Sequence, residues 1–222
     1  MTRLTELIAL SAILLGSISG CARAPLTVNF KPLRVETIYF ENLPPKQPTF
    51  KELGFEAYTV WFYHCVINLE TEDVERDDTS GASSVLIKVK SVAMDLSCPI
   101  KLYISKTAPK ETHDHEQGHI ELCRKIYSLA PEAARVAASM VQGQTFYGMG
   151  ANPQEARNNA INKAKNEVGE SFRAAISEPC QDASEKYDRL AAKYEGKPDF
   201  TPALLSEMAY AEIINAKRTT IK

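Results

Sequence analysis

The chain has 222 residues, of which 44% are hydrophobic and 24% charged, with a formal net charge of −2. Lysine and arginine are spread along it, so the basic footprint of a nucleic-acid binder is missing and DNA and RNA are excluded as expected partners. The length is enough for one sizeable core, and beyond the N-terminus no apolar run is long enough to span a bilayer, so a single globular domain is expected.

At the N-terminus, Arg3 precedes an apolar run over residues 7–15 and then the small residues Gly16, Ser17, Ser19 and Gly20, the pattern of a secretory signal peptide. The sequence Ile18-Ser19-Gly20-Cys21 resembles the cleavage box of bacterial lipoproteins. That resemblance implies a signal peptide over residues 1–20, lipidation of Cys21, a lipid-attached linker over residues 21–33 and a domain over residues 34–222. With Ala22 rather than Asp after the cysteine, it further implies an anchor in the outer membrane facing the periplasm. Ordinary cleavage nearby and an uncleaved anchor are the alternatives, the second disfavoured by the shortness of the apolar run.

Residues 34–105 are expected to be strand-rich. In residues 59–69, Trp61, Tyr63, Cys65, Ile67 and Leu69 share one face, while Val60, Phe62, His64 and Val66 share the other, predicting one central strand. The acidic residues 70–83 read as an exposed connection. Val85, Ile87 and Val89 alternate with lysines, and a phase change near Ser91 predicts either a bulge or a new strand. After Pro99, the alternation of Ile100, Leu102 and Ile104 predicts a last strand.

From residue 112 onward the period becomes helical. Thr112 is a candidate N-cap, followed by His115-Glu116-Gln117-Gly118-His119. In a helix, two histidines four residues apart offer two imidazoles on one face, and the glutamate beside them reaches a water activated by the metal, which is the chemistry of a zinc hydrolase. A solvated helix that merely carries two histidines is the bland alternative. A second helix is expected from Pro131, a loop over residues 143–150, a long helix capped by Asn152 and stopped by Pro179, a fourth over residues 181–194 and a last over residues 202–216. Strands followed by helices predict an α+β domain.

Two histidines leave a third zinc ligand to be found. The metzincin extension is excluded, because Leu122 and Lys125 stand where it needs glycine and histidine. No histidine follows His119, and His64 and His113 are misplaced for the motif face, so a carboxylate on a later helix is expected, with Glu155, Glu167, Glu170, Glu185 and Asp188 as candidates. Besides Cys21 there are four cysteines. In an exported chain an even number suggests two disulfides, and their positions favour Cys65 with Cys98 and Cys123 with Cys180. Cys123 also continues the histidine stripe, which makes it an alternative zinc ligand.

The aromatic-rich strand ending at Cys65, the motif, Cys180 and Tyr187-Asp188 together resemble a family of exported bacterial HExxH proteins of unknown function regarded as zinc-dependent proteases. The resemblance implies a zincin-like fold and a Zn²⁺ cofactor held by His115, His119 and Asp188. It also implies Glu116 as general base, Tyr187 as a hydroxyl that steadies an oxyanion, and a peptide or protein substrate in the cell envelope. In such enzymes an edge strand before the motif helix pairs with extended substrate, a part residues 100–105 could play. The family continues to a threonine and a His-Gly, where this chain has Ala191, Lys193 and Tyr194. A non-catalytic envelope lipoprotein acting as a binding or assembly module, and a zinc amidase acting on peptidoglycan peptides, are the alternative functions.

Overall fold

The computed structural model describes residues 25–41, 56–78 and 81–220; the expected signal peptide and Cys21 lie outside them. The strands are β1 (Leu26–Phe30), β2 (Arg34–Phe40), β3 (Ala57–Trp61), β4 (His64–Asp77), β5 (Ser83–Ser97), β6 (Pro99–Ser105) and β7 (Thr145–Gly150). The helices are α1 (Lys110–Tyr127), α2 (Ala130–Val141), α3 (Pro153–Ala175), α4 (Ser177–Lys193) and α5 (Pro202–Thr220). The α+β order expected from the pattern is present, with β7 as a strand inside the helical half.

Three long ribbons cross the molecule side by side, and each breaks at the same level. β1 continues into β2 through residues 31–33, β5 into β6 through Cys98, and β3 into β4 through Phe62 and Tyr63. The breaks divide the ribbons into a sheet of order β1-β5-β4, with β7 also on β5, and a sheet of order β2-β6-β3. β1 and β2 run parallel to β5 and β6, whereas β4 and β3 run antiparallel to them. The central ribbon is therefore β5–β6.

This arrangement corrects several expectations. Residues 59–69 are not one central strand: the chain changes sheet at Phe62 and Tyr63, and unbroken apolar alternation hides the change. Nor is the strand over residues 100–105 an edge, since β2 and β3 flank β6. The acidic residues after Leu69 stay extended as far as Asp77, because pairing with β5 satisfies their backbone whatever their side chains, and Ser91 and Lys90 bond to Glu70 and Glu72. The reversal falls at Gly81, whose φ of 91° suits glycine. At Ser91 the bulge is realised rather than a new strand: Glu70 pairs with Ser91 and Thr71 with Val89, skipping Lys90. Residues 26–30, expected in the linker, form β1 against β5.

Residues 145–150, expected in a loop, form β7. A Cβ at Gly148 would come within 2.0 Å of the Ala156 carbonyl, so glycine is what lets α3 lie this close to the strand. The cap of α1 is Pro109 without a side-chain bond, one turn earlier than Thr112. Asn152 does cap α3, its side chain accepting from the Glu155 amide. Pro179 does not stop α3; the break falls at Ile176, and Pro179 sits in the first turn of α4, where a missing N–H costs no helical bond. Met94, Leu96, Ile100 and Ile104 from the central ribbon join Ile120, Leu122 and Ile126 of α1 in the core, with Val168 and Phe172 of α3. Among the described residues, no helix is long and apolar enough to cross a membrane.

Candidate metal centre

Helical spacing places His115 and His119 one turn apart on α1, with their Nε2 atoms 3.2 Å apart. α4 then brings in Asp188, whose Oδ1 lies 3.2 Å from Nε2 of His115 and 3.0 Å from Nε2 of His119. These three side chains form a group that could hold one metal ion. Burial raises the Asp188 carboxyl, but hydrogen bonds and charge from His115 and His119 outweigh it and hold the group well below the usual carboxylate range. Its side chain remains 54% exposed, so the group opens to solvent on this side.

Of the other carboxylates expected as possible ligands, none joins the group among the described residues. Glu155 accepts from the Ala151 amide, and Glu185 bonds to Gln181 and pairs with Arg189. His64 stacks on Phe62 instead.

The supporting contacts come from both neighbours of α1. Ser184, one turn before Asp188 on α4, lies 2.8 Å through Oγ from Nδ1 of His119, which fixes the ring so that Nε2 faces the group. Thr59 of β3 donates its hydroxyl to Oε2 of Glu116 at 2.6 Å. Glu116 is buried beside the histidines, and the three motif side chains, with Asp188, Ser184 and Trp61, line a cleft of about 760 Å³.

Tyr187 is fully buried, and its hydroxyl donates to the His115 carbonyl at 3.0 Å. It lies beneath the motif helix, a position that differs from the oxyanion-facing one the sequence implies. Burial, followed by the charges of Asp188, Glu116 and Asp114, pushes its pKa up, so it stays a hydrogen donor. The tyrosine also explains the glycine inside the motif. A Cβ on Gly118 would meet the Tyr187 hydroxyl oxygen at 2.2 Å.

β3 forms the wall opposite α4. The Glu56 carbonyl and the Phe62 amide both bond to the β6 side, so in this antiparallel pair the even-numbered residues face β6. The main-chain groups of Ala57, Thr59 and Trp61 point to the other edge, and among the described residues β3 pairs only with β6.

The four cysteines among the described residues are free thiols, with no pair at disulfide bonding distance. Cys98 lies beside Cys123, Sγ to Sγ 3.8 Å, rather than beside Cys65. Cys123 is fully buried among Cys98, Cys180 and Tyr63, and it is not part of the histidine group.

Sequence reasoning reached His115, Glu116, His119 and Asp188 and missed Thr59 and Ser184. Ser184 had a usable signal, standing four residues before Asp188 on a predicted helix and hence on its face. Thr59 had none, because nothing local ties a strand threonine to a helix more than fifty residues later. Comparison of the chain with protein-family models, with curated protein sequences and with solved structures gave no match.

Proposed function

We propose that this protein is a zinc-dependent metallopeptidase with a zincin-like fold, working in the bacterial cell envelope on a peptide or protein substrate. The observation that carries this reading is the triangle of His115, His119 and Asp188 with Glu116 beside it. Two ligands 2.0–2.1 Å from a tetrahedral zinc stand about 3.3 Å apart, and the three edges measure 3.0 to 3.2 Å. Two imidazoles and one carboxylate also form a ligand set typical of catalytic rather than structural zinc. When bound, zinc supplies Lewis acidity and lowers the pKa of water.

The chain's own residues supply the rest. Glu116 takes the proton of the attacking water and delivers it to the leaving amine, with one carboxylate oxygen fixed by Thr59. Ser184 keeps His119 oriented, and Asp188 completes the set from α4. Substrate lies extended along β3, where Ala57, Thr59 and Trp61 offer main-chain groups to a strand added at the edge. In this reading β3 takes the part that the sequence suggested for residues 100–105. Lipid attachment through Cys21, the outer-membrane location and membership of the exported HExxH family belong to the same proposal and rest on the sequence patterns.

Zinc analysis of purified protein alongside His115→Ala and Glu116→Gln tests it. Near-stoichiometric zinc lost in His115→Ala, with peptide cleavage abolished in Glu116→Gln but zinc retained, is the expected result. Absence of zinc from the wild-type protein after reconstitution overturns it. Zinc binding without hydrolysis of peptides or of peptidoglycan cross-links would instead mark a binding module.

A further inference from the structure

α1 and α4 match each other at successive levels about one helical turn apart. Asp188 meets His115 and His119, Ser184 meets His119, and Cys180 meets Cys123. At the last level a third thiol enters from the strand break, where Cys98 joins β5 to β6 and lies 3.8 Å from the Cys123 sulfur. Tyr63, from the neighbouring break, lies 3.1 Å through Oη from the same sulfur. Cys98, Cys123 and Cys180 are 1%, 0% and 0% exposed, whereas Cys65 sits half-buried on β4 against a groove lined by Lys165 and Arg173.

We propose that Cys123 is the obligatory member of a buried disulfide site, that Cys180 and Cys98 compete to be its partner, and that Cys65 takes no part. Formation removes one proton and one electron from each of two thiols. The electrons and protons pass to a disulfide oxidant, small-molecule or protein, which leaves as two thiols, and the new bond joins Cys123 to one neighbour. The third sulfur can then exchange: as a thiolate it attacks the Cys123 sulfur, the new bond forms, and the displaced partner leaves as thiolate and takes up the proton the attacker lost.

The hydrogen-bond pattern agrees with a central role for Cys123. Hydrogen bonds from Cys180 and Cys98 lower its thiol against the cost of burial, with Tyr63 helping, while the thiols of Cys98 and Cys180 are pushed up. A bond from Cys123 to Cys180 ties α1 to α4, the two helices that carry the ligand group. A bond to Cys98 ties α1 to the strand break instead. The site's existence does not depend on zinc or on peptidase activity.

The test is refolding of the chain in a mixed reduced and oxidised glutathione buffer, alkylation in denaturant and peptide mass mapping. The expected result is that every linked peptide pair contains Cys123, joined to Cys180 or to Cys98, with Cys65 recovered alkylated. A bridge from Cys65 to Cys98, or alkylated Cys123, overturns the proposal. Cys180→Ser is expected to redirect the bond to Cys98, and Cys98→Ser to direct it to Cys180. Loss of the bond in either single variant removes the competition, and the wild-type map stands whether or not the variants fold. Because the readout is a peptide mass, its failure is distinct from failure of the zinc hydrolase reading.

Discussion

Thr59 and Ser184 each commit a hydroxyl to a motif side chain, and removing one should be felt in a specific way. Ser184→Ala leaves the ligands in place but frees the His119 ring. An outer partner of this kind is worth about 10–100-fold in metal affinity, so zinc binding measured against a chelating dye should weaken by that factor. Gly118 is constrained by contact rather than by metal chemistry. With the Tyr187 ring beneath it, Gly118→Ala should destabilise the fold by about 1–3 kcal/mol in urea unfolding, as overpacking does, with Tyr187 shifting its register under α1. Cys65 differs from the buried trio. Burial first, then the charge of Asp95, raises its pKa to about 11. Since the thiolate is the reactive form, a raised pKa suppresses reaction at neutral pH, and alkylation of Cys65 in the native protein should reach half its maximal rate near pH 11 rather than near the ordinary thiol value.

At the scale of elements, the helices were legible because their inward residues recur with the helical period and their boundaries carry local chemistry. Ala156, Ala160, Ala164, Val168 and Phe172 all fall on the buried face of α3, and Asn152 caps it. The strands were legible in type but not in partnership. An alternating run looks the same whether it continues in one sheet or crosses to another, so the break at Phe62 and Tyr63 left no mark. Likewise, the acidic composition of residues 70–77 spoke for a loop, while a long antiparallel partner held them as strand. The consequence for the proposed substrate is that, among the described residues, β3 rather than β6 has an edge without a strand partner. A peptide inhibitor that binds there should lose affinity at least tenfold when the residues facing Ala57, Thr59 or Trp61 are N-methylated, because each methyl removes one main-chain donor. Methylation of the alternate residues should have little effect, a contrast that inhibition constants measured side by side would reveal.

On the scale of the whole molecule, the candidate ligand group joins α1 to α4 across three intervening elements, α2, β7 and α3, so metal bound there would cross-link parts of the chain that are remote in sequence. A ligand at a hundred times its dissociation constant stabilises by about 2.7 kcal/mol, and for a chain of this size each kcal/mol raises Tm by about 2–4 °C. Zinc at that concentration should therefore raise the melting temperature by roughly 5–10 °C in calorimetry, and Asp188→Asn and His115→Ala should each lose most of the increment. The sequence by itself determined the motif, its helix, the α+β order and the absence of a nucleic-acid footprint, because these depend on spacing of four, on period and on composition, all of which are local. It also narrowed the candidates for a third ligand to a few carboxylates. Only the tertiary structure decided that Asp188 meets the histidines, that Thr59 and Ser184 support them, that Tyr187 turns inward and that Cys98 rather than Cys65 lies beside Cys123. Each of those contacts spans tens of residues and is fixed by how α4 and the strand breaks fold back onto α1, which no local pattern encodes.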